Sequence, residues 1–431
     1  MPRRLLAPAT IVLLCGFAIL FIGGGARFAV GLTLKPIVEE FGWPRSAMGL
    51  AVAAFQVVSA LAMFWAGRLA DAKSPRLVLV LGLALGGVGI GMMGFITQPW
   101  HAVLLYGLLF GLGNGAASLI PVGVMVTRAF PVRTGMVNAV VTSGMSVGQL
   151  VMIAGLAALL ATLTWRSMFF GLGLAHFALA AIVMIALPKG ASGAARAAQP
   201  VEGLGVAEAL RTPRMWLLLA IYAICGFDDF FVSTHVVAFA QDRGVDALLA
   251  GNLLAMMGLT GLIGVVGAGI MSDRFGPVLP TALSFLARVL VFGLVLVDQS
   301  PLSVTIFALV FGATFMVTAP LAVIFATRLF GARHLGALTG LVTMVHQIAG
   351  GLGAWLGAAI FDATGGYGPA FAVMFAVSSG RHASAAGSWW CSITATSPAG
   401  SDHAVATRAP SCAWSNPKCS RSTATNDVAS L

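Results

Sequence analysis

The chain reads as an all-α membrane protein made of two related six-helix bundles. Its composition, the length of its apolar runs and one repeated polar hairpin all point there. Hydrophobic residues make up 59% of the chain and charged residues only 9%, with a mean hydropathy of +0.96; a soluble domain is about a quarter charged. Runs long enough for the roughly 20 residues of a membrane crossing recur throughout. The segments Gly67-Arg68-Leu69-Ala70-Asp71 and Gly269-Ile270-Met271-Ser272-Asp273-Arg274-Phe275-Gly276 each follow the second apolar run of their half, 202 residues apart. A repeat at that distance is how membrane carriers build a central site that can face either side.

The first run, near 10–34, follows Arg3 and Arg4 and so resembles a secretion signal. It is long and further runs follow, which predicts a retained helix. Helices are expected next near 47–66, 76–96, 101–126, 134–161 and 166–187, and after a break near 213–240, 248–271, 277–297, 302–326 and 334–361. These are too continuous for barrel strands, which alternate over about 10 residues, and lipid offers an open backbone no hydrogen bonds. The duplication extends to the flanks. Phe41-Gly42-Trp43-Pro44-Arg45-Ser46 introduces the second helix as Arg243-Gly244-Val245-Asp246 introduces the eighth. Arg128 to Arg133 leads into the fifth, and Arg328 to Arg333 leads into the eleventh 200 residues later, with Pro121 and Pro320 in the helices before. The expected division is 1–188 for the first bundle, 189–212 for a flexible cytoplasmic linker, and 213–377 for the second bundle. A twelfth helix begins at Tyr367 but is incomplete, and 378–431 is an aberrant polar tail, as a frameshift near Val377 would produce.

The net charge of +10 is mostly topology. With the N-terminus inside, one face collects Arg3, Arg4, Arg68, Lys73, Arg76, Arg128, Arg133, Lys189, Arg196, Arg211, Arg214, Arg274, Arg328 and Arg333. The other face has only Lys35, Arg45, Arg166 and Arg243. This bias fixes a cytoplasmic N-terminus in a multi-pass membrane protein and excludes nucleic acid as the reason for the basicity. Cys15 and Cys225 lie in apolar runs and the other cysteines in the tail, so neither a metal site nor a disulfide framework is expected.

Gly67 and Asp71 with Arg76, and their second copy Gly269, Asp273 and Arg274, resemble the loop signature of the major facilitator superfamily. Further runs resemble bacterial relatives of monocarboxylate porters and oxalate/formate-type carriers: Gly25-Ala26-Arg27-Phe28, Pro36 to Ser46, Thr234-His235, His346-Gln347 leading to Gly353-Ala354-Trp355-Leu356-Gly357, and Phe361-Asp362-Ala363-Thr364-Gly365. The resemblance covers residues 10 to about 377. It departs at Ala72 and Ser74, where a basic residue and a glycine are usual, which implies a weaker first-half latch. Gly107 stands where many relatives carry an arginine. The run Gly144 to Gly148 lacks the Gly-Pro signature of drug antiporters, so multidrug efflux is disfavoured. The resemblance implies that the first and seventh helices line a central cavity. It also implies that Asp71 and Asp273 latch near the starts of the eleventh and fifth helices, an attraction that helix dipoles support.

Ionisable side chains at membrane depth cost about 2.5–3.5 kcal/mol on insertion scales, so Arg27, Asp228, Asp229, His235, Arg288 and His346 are the candidates for chemistry. The repeat offset carries Arg27 onto Asp229, which suggests a charge pair across the halves. Arg27 is expected to bind a carboxylate through its planar fork of donors, with a fixed ion pair or a snorkelling arginine as the alternative. Asp228 and His235 share a helix face two turns apart and are expected to couple a proton; the alternative is a local helix cap and a backbone hydrogen bond. Arg288 is a second anion ligand or a structural partner of a carboxylate. His346 is a possible substrate hydrogen-bonder, and His176 a helix contact. The glycine rows at 107, 111 and 115, at 144 and 148, and at 353 and 357 suit close helix approach, sliding or static. Together these residues predict a monomeric carrier without cofactor or catalytic residues, in the bacterial inner membrane, moving a small organic anion with a proton. Carboxylate exchange and a non-transporting sensor or defective carrier are the alternatives.

Overall fold

The computed structural model describes residues 8–72, 74–130, 134–187, 203–331 and 333–379. Among them are eleven helical spans long and apolar enough to cross a membrane. Spans 1 to 6 are Ala9–Phe41, Arg45–Ala70, Pro75–Phe95, Pro99–Ala129, Val137–Leu160 and Trp165–Ala186. Spans 7 to 11 are Pro213–Asp242, Ala247–Phe275, Val278–Val297, Pro301–Phe330 and Leu335–Thr364. Each matches an expected run. A further helix, Gly368–Ser379, has 12 residues, about 18 Å at 1.5 Å per residue against a hydrocarbon core of about 30 Å. Of the expected frameshifted tail 378–431, Ser378 and Ser379 end this helix, and residues from 380 on lie outside the described residues, as do residues 189–202 of the expected linker. The rest of the linker forms the short helix Val206–Leu210, and the Leu204 N–H donates to the Phe330 carbonyl at 2.8 Å.

Three spans are interrupted. Span 4 breaks at Ala117 and Ser118, and span 10 at Met316 and Val317. The causes are Pro121 and Pro320, which lack an N–H for the carbonyls of Ala117 and Met316 four residues back. Span 1 breaks at Arg27 and Phe28, between the helices Pro8–Ala26 and Ala29–Phe41, after the weak helix formers Gly23, Gly24 and Gly25. Its repeat mate, span 7, is a single unbroken helix. Span 1 runs on to Phe41 and stops at Gly42, which takes a left-handed φ of 66° that glycine tolerates best.

The packing reproduces the duplication. Span 1 packs on 5, 2 on 4 and 3 on 6, as span 7 packs on 11, 8 on 10, and 9 on the final helix. Between the bundles, span 2 meets span 11 and span 5 meets span 8, with span 1 against span 7. The glycine rows fall inside single bundles. Gly107, Gly111 and Gly115 meet Ala54, Val58 and Ala62; Gly144 and Gly148 meet Phe17 and Phe21; Gly353 and Gly357 meet Phe227 and Phe231. The seam between bundles uses other glycines: Gly31 against Ser233, Gly49 against Ala358, Gly251 against Ala157, and Gly351 against Ala53.

Candidate functional site

The break in span 1 places Arg27 against a narrow inter-bundle cavity of about 10 Å³, roughly enough for one water molecule. Tyr106 of span 4 donates to the Arg27 carbonyl at 2.6 Å, which ties the break to a neighbouring helix. The guanidinium lies 4.5 Å from the Phe28 ring centre and 5.9 Å from that of Phe230. Arg27 Nε is buried without an acceptor. So is Nε2 of Gln56 in span 2, a residue 1% exposed that lines the same cavity. Phe55, Tyr106, Phe230 and Thr234 complete much of the wall. Gln56 was missed in the sequence; its signal was an uncharged amide in the middle of an apolar run.

Asp229 is not the ion-pair partner of Arg27. Its Oδ1 lies 2.7 Å from Nη2 of Arg288, both side chains being buried. The repeat offset fixes the height of a residue along a helix but not the direction in which it points. Asp229 points into its own bundle, toward spans 9 and 11. Its Oδ2 accepts from Cys225 Sγ at 3.3 Å and lies 3.2 Å from His346 Nε2. Arg288 also donates to the Thr314 hydroxyl at 3.0 Å, the Thr314 carbonyl at 3.1 Å and the Cys225 carbonyl at 3.3 Å. Its side chain is at 0% exposure and its donors are turned to these partners. Cys225, Asp229 and His346 bring possible metal-ligand atoms within 4.8 Å of one another, a grouping no spacing revealed. The guanidinium beside the carboxylate opposes a dication there.

Asp228 and His235 are both buried but occupy separate networks. Asp228 Oδ2 accepts from Ser378 at 2.6 Å, while Oδ1 has no partner. His235 Nε2 lies 2.8 Å from the Ala354 carbonyl and Nδ1 lies 3.0 Å from the Tyr367 hydroxyl. A carbonyl only accepts, so Nε2 carries the proton of a neutral ring and Nδ1 accepts from Tyr367. The Tyr367 oxygen in turn accepts from Arg45 at 2.9 Å. His176 bonds the Leu172 carbonyl at 2.8 Å.

That chain leads to one end of the bundle, where the halves are joined. Asp242 of span 7 receives Lys35 at 2.9 Å and Arg45 at 2.7 Å. Asp362 of span 11 accepts from the backbone N–H groups of Arg45 and Ser46, each at 2.8 Å. Asp362 therefore caps span 2 from the opposite bundle.

At the other end, Gly67 faces Ile120, and Arg76 donates to the Met184 carbonyl of span 6. Gly269 has open space around it, and Asp273 and Arg274 are exposed. The side chains of Asp71 and of residues 134–136 at the start of the fifth helix lie outside the described set, and with them both expected latches.

The family model described as Major Facilitator Superfamily matches residues 16–354. An uncharacterized transporter of that type, YcxA of Bacillus subtilis, is 24% identical over 361 residues, 79% of this chain and 87% of that protein. Monocarboxylate transporter 11 of Homo sapiens is 26% identical over 303 residues, 68% of this chain and 62% of the relative. Among solved structures, a bacterial homolog of the human lysosomal transporter Spinster, in an inward-facing and occupied conformation, is similar in fold. It has a TM-score of 0.70 at 16% identity, and the match covers 90% of this chain and 97% of that one.

Proposed function

The chain belongs to the Major Facilitator Superfamily, and from that premise we propose that it is a secondary carrier of a small monocarboxylate, moved with a proton by alternating access. The observation that carries this reading is Arg27. An arginine at membrane depth, flanked by aromatic rings and with an unanswered donor turned to a cavity between the bundles, is set up to receive an anion. The similarity to a monocarboxylate transporter agrees with it.

On this reading the positive-inside bias assigns the joined end, with Lys35, Arg45, Asp242 and Asp362, to the outer face of the bacterial inner membrane. Proton coupling belongs to Asp228, whose second carboxylate oxygen is free, or to His235, whose neutral ring holds the link to Tyr367 and Arg45. Carboxylate exchange would need a second free cation, and Arg288 is fully engaged.

Uptake of labelled monocarboxylates into proteoliposomes tests the reading. Arg27→Leu is expected to abolish uptake, and Arg27→Lys to retain at most a tenth of it, because an ammonium lacks the planar fork. An inward-acid shift in the internal pH of the vesicles should accompany uptake and disappear in either Asp228→Asn or His235→Gln. Uptake unchanged in Arg27→Leu would overturn the assignment. Counterflow that needs no pH gradient and moves no protons would favour exchange.

A further inference from the structure

We propose that Tyr367 makes a proton on His235 and a docked Arg45 mutually exclusive, so that acid releases the joined end of the bundles. The inference rests on the alternating-access reading above, and it leaves carriage of the cotransported proton to Asp228. Arg45 begins span 2 of the first bundle, yet its side chain reaches into the second and the residue is 8% exposed. Nη1 lies 2.7 Å from Asp242 Oδ2 and donates to the Tyr367 hydroxyl at 2.9 Å. The guanidinium carbon stands 3.7 Å from the centre of the Phe361 ring. Tyr367, just before the final helix, and His235 are each 1% exposed. Among the described residues, the hydrogen-bond partners of the Tyr367 hydroxyl are Arg45 Nη1 and His235 Nδ1.

A hydroxyl has one proton to give and lone pairs to accept with. With the ring neutral, every group is answered. Nε2–H donates to the Ala354 carbonyl, the Tyr367 proton goes to Nδ1, and the Tyr367 oxygen accepts from Arg45. A second proton on the ring turns Nδ1 into a donor. Ring and guanidinium then both donate to one oxygen, and the Tyr367 proton is left buried without an acceptor, which costs free energy. The two cations also repel each other in a buried site. The charged groups that act on the ring are Arg45 of span 2 and Asp362 of span 11. Asp362 is engaged with the N–H groups of Arg45 and Ser46, and Lys35 of span 1 is held by Asp242.

Withdrawal of Arg45 removes both faults. The second cation is gone, and the space it leaves admits water to accept the Tyr367 proton. The released state therefore takes the proton more readily than the docked one, and by linkage a falling pH favours release. A ring that must shed its proton before this end can close does not carry that proton across. Asp228 lies in a separate network with Oδ1 free and is under no such constraint.

The test is the distance between spin labels on spans 2 and 11 at this end, read in the purified full chain in nanodiscs at about pH 8 and about pH 5.5, without substrate. An imidazole facing water takes its proton near about pH 6.5. A docked state that excludes the proton therefore predicts about a tenfold rise in the ratio of open to closed populations over that interval. His235→Gln reproduces both hydrogen bonds of the neutral ring and is expected to abolish the rise. Tyr367→Phe keeps the aromatic ring but removes the shared oxygen, and is expected to cut the rise to about threefold or less. Asp228→Asn should leave it intact. Proton movement per molecule taken up should persist in His235→Gln and vanish in Asp228→Asn. A melting curve for each variant confirms folding, and for any variant that fails to fold the wild-type titration decides alone.

Equal populations at the two pH values in the wild type overturn the inference. So does a full rise surviving in His235→Gln, which would belong to Asp242 or Asp362, or one surviving in Tyr367→Phe. Loss of proton movement in His235→Gln with retention in Asp228→Asn overturns the assignment of the carried proton. Each of these results spares the parent reading as long as uptake moves protons and fails in Arg27→Leu. The expected rise together with unchanged uptake in Arg27→Leu overturns the cargo assignment and supports the latch.

Discussion

Removing either partner of the pair between Arg288 and Asp229 leaves a charge buried with nothing to offset it, because neither side chain reaches solvent. Arg288→Met or Asp229→Asn is therefore expected to cost about 3–5 kcal/mol of stability, read as a lowered melting temperature of the purified protein in detergent. The double variant Arg288→Met with Asp229→Leu should regain most of that loss, since an apolar pair of similar size is often tolerated as well as the ions it replaces. Arg27 behaves in the opposite way. Its guanidinium edge has an unanswered donor, so Arg27→Leu should leave melting unchanged or raise it while transport fails. The contrast separates a cation that holds the scaffold from one kept free for a ligand, and a large drop in melting for Arg27→Leu would contradict it.

Helices and their breaks were legible to different degrees, and the reasons are physical. Apolar run length marks every span, and Pro121 and Pro320 mark the interruptions of spans 4 and 10 because a missing N–H acts locally. The break at Arg27 and Phe28 has no proline; the three glycines before it lower helix preference without fixing where the chain turns. Which way Asp229 points, and therefore its pairing with Arg288 rather than Arg27, depends on how spans 7, 9 and 11 pack, which no local pattern records. The same limit hid the seam. The glycine rows that stand out by spacing pack inside one bundle, whereas isolated Gly31 is where spans 1 and 7 touch. A side chain there would run into the Ser233 carbonyl oxygen. Gly31→Leu is expected to wedge the bundles apart at that end. It should abolish uptake and speed reaction of a cysteine placed at Thr234 with a membrane-impermeant thiol reagent added outside. Gly353→Leu, inside one bundle, should lower melting without that increase in labelling.

Closure of one end of the bundle rests on a small number of polar contacts, so its equilibrium should be open to adjustment by single substitutions. Asp362 accepts from the N–H groups of Arg45 and Ser46 at the start of span 2, groups that a helix N-terminus cannot satisfy internally. Ordinarily such a cap comes from the same chain segment and stabilises the helix alone. Here it comes from span 11 of the other bundle, so it exists only while the end is shut, and on separation water must take its place. Loss of an N-cap costs about 0.5–2 kcal/mol, typically about 1, and every 1.4 kcal/mol is a tenfold change in an equilibrium. Asp362→Ala should thus raise the ratio of open to closed states by about fivefold with little effect on the folding of either bundle. Asp242→Asn acts at the same place, leaving Lys35 and Arg45 facing each other without their shared carboxylate. Its effect should shrink at high salt, since these charges are partly exposed and screened. Spin labels placed across this end, on spans 2 and 11, would report both changes as growth of a longer-distance population. A distance distribution identical to wild type in both variants would mean that apolar packing of spans 2 and 11 alone holds the end closed.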